Sequence, residues 1–158
     1  MSGAMPAAGL PAFLAAPPRC LFFTGKGGVG KTSIACAAAI ALADGGRRVL
    51  LVSTDPASNL DEMLGLELAD APRTVPGVPR LSAMNIDPTA AAEAYRARVL
   101  SRMEDAGEQA RATVREQLSG ACTTEVAAFD EFAALLADGA PGFDHVLFDT
   151  APTGHTLR

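Results

Sequence analysis

The chain has 158 residues, 49% of them hydrophobic and 20% charged, a length and balance that suit one domain with a buried core. Its formal net charge of -5, from 13 Lys+Arg against 18 Asp+Glu, gives no support to a nucleic-acid partner, which needs a basic surface to displace counterions. Three widely spaced cysteines, Cys20, Cys36 and Cys122, do not make a secreted disulfide framework, and a reducing, cytoplasmic setting is expected.

In chain order, residues 1–18 read as a flexible leader. The stretch is apolar, but it lacks the basic start of a signal peptide, and Pro6, Pro11, Pro17 and Pro18 interrupt it. Cys20 to Phe23 reads as a buried strand followed by a glycine-rich turn. Lys31 to Asp44 is an alanine-rich helix stopped by Gly45-Gly46. Val49 to Val52 is a continuous apolar run too short for a helix, so a buried parallel strand is preferred. Leu81 to Ile86 is a weaker third strand, and Asp87-Pro88 supplies an N-cap and a first-turn proline for the helix that follows. Tyr95, Val99 and Met103 put an apolar face on that helix, which Gly107 breaks before Val114 and Leu118 resume the period. A further helix after Cys122 carries Val126, Phe129, Ala133 and Leu136. His145 to Asp149 is a last strand, ending in an acid, with His145 at the surface or edge. Strands alternating with helices predict an α/β fold, a parallel sheet of about four strands covered on both faces.

Gly25-Lys26-Gly27-Gly28-Val29-Gly30-Lys31-Thr32 matches the phosphate-loop pattern G-x-x-x-x-G-K-[ST] between a strand and a helix. Glycines let the backbone wrap a phosphate closely, with amide groups pointing inward at a helix N-terminus. Lys31 is expected to reach the β- and γ-phosphates of ATP, and the Thr32 hydroxyl to hold Mg²⁺, with Ser33 beside it. Asp149 ends its strand as a Walker B acid does, toward Mg²⁺. Asp55, in Ser53-Thr54-Asp55-Pro56, stands where a carboxylate positions an attacking water or the metal. Both acids lie at the carboxyl ends of strands, where ligands bind in such sheets. Thr150 to His155 reads as a switch loop sensing the γ-phosphate.

Lys26 is not needed to cradle the phosphates of its own loop. The sequence here resembles the deviant Walker A ATPases, a resemblance that implies a lysine reaching nucleotide held by a partner subunit or partner half. The segments Leu21 to Ser33, Val52 to Asn59, Gln117 to Glu125 and Asp149 to Thr156 are similar to the arsenical pump-driving ATPase family, from about Arg19 to Arg158. The resemblance implies that residues 19–158 are the N-terminal part of a P-loop NTPase domain. It implies catalytic Lys26 and Asp55, nucleotide contacts from Gly25 to Ser33, and magnesium ligands Thr32, Asp55 and Asp149. It also implies Cys122 and His155 as ligands for arsenite or antimonite, soft ions that prefer thiolates. Read without the family, a lone cysteine is a packing residue. Cys20 and Cys36 read as core.

The implied activity is ATP hydrolysis stimulated by trivalent arsenic or antimony. The implied partners are an arsenite efflux membrane protein, an arsenic metallochaperone, and a second homologous half or second copy. The implied location is cytoplasmic, at the inner membrane face when pump-bound. The alternatives are a related ATPase that targets tail-anchored membrane proteins, and an inactive remnant. Family chains are much longer, so the 158-residue chain is expected to lack further strands and not to turn over ATP by itself.

Overall fold

The computed structural model describes residues 11–55, 57–137 and 140–150. The elements in chain order are α1 (Ala12–Ala15), β1 (Cys20–Phe23), α2 (Lys31–Asp44), β2 (Val49–Ser53), α3 (Leu60–Leu64), β3 (Arg73–Val75), β4 (Val78–Asn85), α4 (Pro88–Ser101), α5 (Glu108–Gln117), α6 (Ala121–Ala137) and β5 (His145–Asp149). The five strands form one sheet in the order β1-β5-β2-β4-β3. Pairings among β1, β5, β2 and β4 are parallel, as expected for strands joined through helices.

The fifth strand corrects the expected count of about four. β3 runs antiparallel to β4, joined by a hairpin in which Val75 pairs with Val78 across Pro76-Gly77. Gly77 has φ of 78°, the left-handed conformation that a proline-glycine turn requires of its second residue. The Pro-Gly pair was the available signal.

Side chains along β2 alternate between two cores, as strand geometry dictates. Val49 and Leu51 join Ala35, Cys36, Ala39 and Leu42 of α2 and Leu60 and Leu64 of α3 on one face. Leu50 and Val52 join Val146, Phe148 and Met84 on the other, where Phe132 and Leu135 of α6 pack. All five residues of β2 and of β5 are buried, which accounts for their unbroken apolar runs. Leu14 of α1 reaches the α2-side core, so part of the stretch expected to be a leader packs on the domain.

On the second face the apolar stripes differ from expectation. The inner side of α6 is Thr123, Ala127, Phe132 and Leu135, whereas Val126, Phe129 and Leu136 are exposed. In α4 it is Ala91 and Ala92 that are buried, against Ala127, with Tyr95 beside them, and Met103 lies beyond the helix end. α5 starts after Gly107, as the sequence indicates. His145 is buried rather than peripheral, its Nδ1 2.9 Å from the carbonyl oxygen of Pro18. No helix among the described residues is long and apolar enough to cross a membrane.

Candidate nucleotide-binding site

The glycine-rich loop leaves β1 and turns into α2 through left-handed residues. Gly28 has φ of 76° and Gly30, the residue before the helix, φ of 83°. Side chains are strained there, so glycine is what lets the loop close so tightly. The first helical residue is Lys31, buried although charged, and the next is Thr32. A groove of about 330 Å³ opens over them, lined by Gly27, Gly28, Gly30, Lys31, Thr32 and Ser33 on one side and by Asp55, Ala57, Ser58 and Asn59 on the other. Gly25, Lys26 and Val29 do not line it, and Lys26 and Val29 are exposed.

β5 lies between β1 and β2, and this brings Asp149 beneath the loop. The Thr32 hydroxyl donates to Asp149 Oδ2 at 2.7 Å. Asp149 is fully buried, and its Oδ1 has no hydrogen-bond partner. Burial pushes the Asp149 carboxyl above its ordinary value, opposed by the Thr32 hydrogen bond and the Lys31 charge. A buried carboxylate oxygen without a partner, beside a threonine hydroxyl, suits a hard cation or its bound water.

Across the groove, the loop after β2 is held by its own side chains. The Asp55 N–H donates to Ser53 Oγ at 3.3 Å, and Asp55 Oδ1 accepts the Ala57 N–H at 2.9 Å. The Thr54 N–H donates to the Asp149 carbonyl at 3.0 Å, tying this loop to the end of β5. The structure thus gathers Lys31, Thr32, Asp55 and Asp149 from three elements into one place. Ser58 and Asn59 also line the groove, although sequence reasoning gave them no role.

The remaining predicted residues lie apart from it. Cys122 is exposed in the first turn of α6, which begins at Ala121, so Cys122 is inside the helix rather than before it, and it does not line the groove. His155 lies outside the described residues. Among the described residues, no three His, Cys, Asp or Glu side chains cluster as a metal site would require. Cys36 is buried and its thiol pushed up to about 11 by burial and by Asp149. Cys20 is half-buried against the α6-side core.

A loop of this build, on a parallel sheet and ahead of a helix, places the chain among P-loop nucleoside-triphosphate-binding proteins. More narrowly, the chain belongs to the anion-transporting ATPase family, whose model matches residues 18–158. It is 56% identical over 149 residues to an arsenical pump-driving ATPase of Escherichia coli, covering 92% of this chain and 26% of that protein. It is 58% identical over 144 residues to the arsenical pump-driving ATPase of Acidiphilium multivorum, covering 89% of this chain and 25% of that protein. To the ATPase get3 of Schizosaccharomyces japonicus it is 38% identical over 142 residues, 87% of this chain and 42% of that protein. The chain therefore spans about a quarter of the length of the arsenical pump-driving relatives.

Proposed function

We propose that the protein carrying this chain hydrolyses ATP with Mg²⁺, is stimulated by trivalent arsenic or antimony, and energises arsenite efflux through a membrane pump partner at the cytoplasmic face. The observation that carries the nucleotide half is the Thr32 hydroxyl on the buried, half-partnered Asp149 next to Lys31. The arsenical half is supported by the names of the relatives at 56–58% identity and by the exposed thiol of Cys122.

In this reading Lys31 and the loop amides neutralise the β- and γ-phosphates, helped by the positive end of α2. Thr32 and Asp149 hold Mg²⁺, with Asp55 at the same end of the site. The bound cation supplies charge neutralisation across the phosphate oxygens. Asp55 orients the attacking water once its carboxylate leaves the Ala57 amide. Lys26, exposed and not among the residues lining its own groove, reaches nucleotide in a second homologous half or second copy. Cys122 and His155 hold the metalloid, which an arsenic metallochaperone delivers. A second reading, delivery of tail-anchored membrane proteins, is favoured by the exposed Val126, Phe129 and Leu136 of α6.

Phosphate release with and without antimonite tests the proposal. Lys31→Ala is expected to lower turnover about 10²–10³-fold, the usual loss when one charge-stabilising donor is removed. Cys122→Ser is expected to keep basal turnover and lose antimonite stimulation. Wild-type turnover in Lys31→Ala overturns the ATPase reading. Stimulation that survives Cys122→Ser removes that residue from the metalloid site.

A further inference from the structure

We propose that the cavity between the end of β4, the first turns of α4 and the C-terminal half of α6 binds a small amphipathic organic cation, its apolar body on the cavity floor and its ammonium or guanidinium group facing the carboxylates at the rim. The site stands apart from the phosphate groove, with which it shares no lining residue.

The cavity has a volume of about 370 Å³, within the range of roughly 300–1,000 Å³ that small-molecule sites occupy. Small side chains leave it open. Ala90, Ala91 and Ala94 of α4 stand where longer residues would close the space toward Leu135 of α6. Met84 and Ile86, both buried, supply an apolar floor from the end of β4.

The polar groups are of one kind. Asp70, Asp87 and Glu131 line the cavity, and each is exposed, so their carboxylates form its rim. No lysine, arginine or histidine lines it among the described residues. Asn85 also lines it and has a buried side-chain oxygen without a hydrogen-bond partner, one more acceptor. The Asp87 carboxylate, which caps α4 through Oδ1, offsets the positive end of that helix. The Asn85 N–H donates to the Ala69 carbonyl at 2.8 Å and fastens the loop that carries Asp70 to β4, so this part of the rim is in place before a ligand arrives. An apolar floor stabilises a hydrocarbon body, and a rim of acids without a counter-ion attracts a cation and repels an anion. Nucleotides and fatty acids are thereby excluded, and a hydrocarbon bearing an N–H cation is what fits.

The test uses n-octylammonium, with 1-octanol and octanoate as neutral and anionic probes of the same chain length. Binding to the full protein that carries this chain is followed by the Met84 methyl signal in ¹³C-methyl-methionine NMR, assigned by its loss in Met84→Leu. Octylammonium is expected to shift that signal and to bind about tenfold tighter than octanol, the scale of several half-exposed ion pairs together. Octanoate is expected to leave the signal in place. Asp70→Asn combined with Glu131→Gln should remove the preference for octylammonium over octanol while octanol still binds. Ala94→Leu, which fills the cavity from the helix surface, should weaken both about tenfold or more; if it lowers the melting temperature, the double acid variant carries the test. Equal binding of octanoate and octylammonium overturns the proposal, as does a Met84 signal that none of the probes moves. Octylammonium affinity that is unchanged in a folded Ala94→Leu protein overturns it as well, because the cation then sits elsewhere.

Discussion

Asp144, just ahead of β5, accepts from the Arg48 N–H at 2.8 Å and from its guanidinium at 3.0 Å. These bonds, side chain first, hold its carboxyl down at about 2. A carboxylate lowered in the folded state adds stability that is fully present above its ordinary value and is lost as pH falls through the folded one. Asp144→Asn should therefore unfold at lower denaturant than wild type near neutral pH, and the gap should close as pH approaches about 2. A gap that persists in strong acid would mean that the carboxylate charge is not what stabilises. The cysteines give a second residue-scale outcome. With Cys36 buried and its thiol near 11, and Cys122 exposed, iodoacetamide at neutral pH should label Cys122 and spare Cys36. Mass mapping checks it, and rapid Cys36 labelling would contradict the burial. Lys31 and Thr32 could be picked out in sequence because the loop pattern has fixed spacing, and Asp149 because it ends an apolar strand. Ser58 and Asn59 could not, because only the folded sheet brings the loop after β2 across from the phosphate loop.

At the scale of elements, local signals were read well and tertiary choices were not. α2 runs Lys31–Asp44, bounded by Gly30 and Gly45 as glycine placement indicates. Asp87 caps α4, with Oδ1 accepting the Thr89 N–H at 2.8 Å and the Ala90 N–H at 3.4 Å. Asp87→Ala should cost about 1 kcal/mol in urea unfolding, the usual value of an N-cap. A change near zero would show that Pro88 and packing alone start the helix. Such caps involve neighbours in sequence, and that is why they can be read there. β3 escaped because three residues carry too little periodicity, and only pairing with β4 makes them a strand. The outer placement of Phe129 escaped because α6 is apolar on more than one side, and the sheet selects Phe132 and Leu135.

Across the whole molecule, the aromatic contacts run from inside to outside. Phe148 is buried, Phe132 packs on it with centroids 4.5 Å apart, and Phe129 follows at 6.1 Å, 67% exposed. Phe22 of edge strand β1 stacks on Phe148 at 5.0 Å and is 47% exposed. Contiguous apolar surface of this kind promotes association. Phe129→Ser should reduce self-association in sedimentation velocity while shifting stability by no more than about 0.5 kcal/mol, since exposed positions contribute little. Unchanged association would place the sticky surface elsewhere. The sheet order carries one more consequence, in time rather than space. Among the described residues β5 is the last of five strands, yet it lies between β1 and β2, which come first. A ribosome thus delivers the phosphate loop well before the strand that bears Asp149. Until that strand slots in, the nascent sheet has a gap at its centre, and the slow step of parallel long-range pairing is also the step that arms the site. Nucleotide has no complete site to bind until that strand has been made, and its arrival can only reward a chain that has already closed.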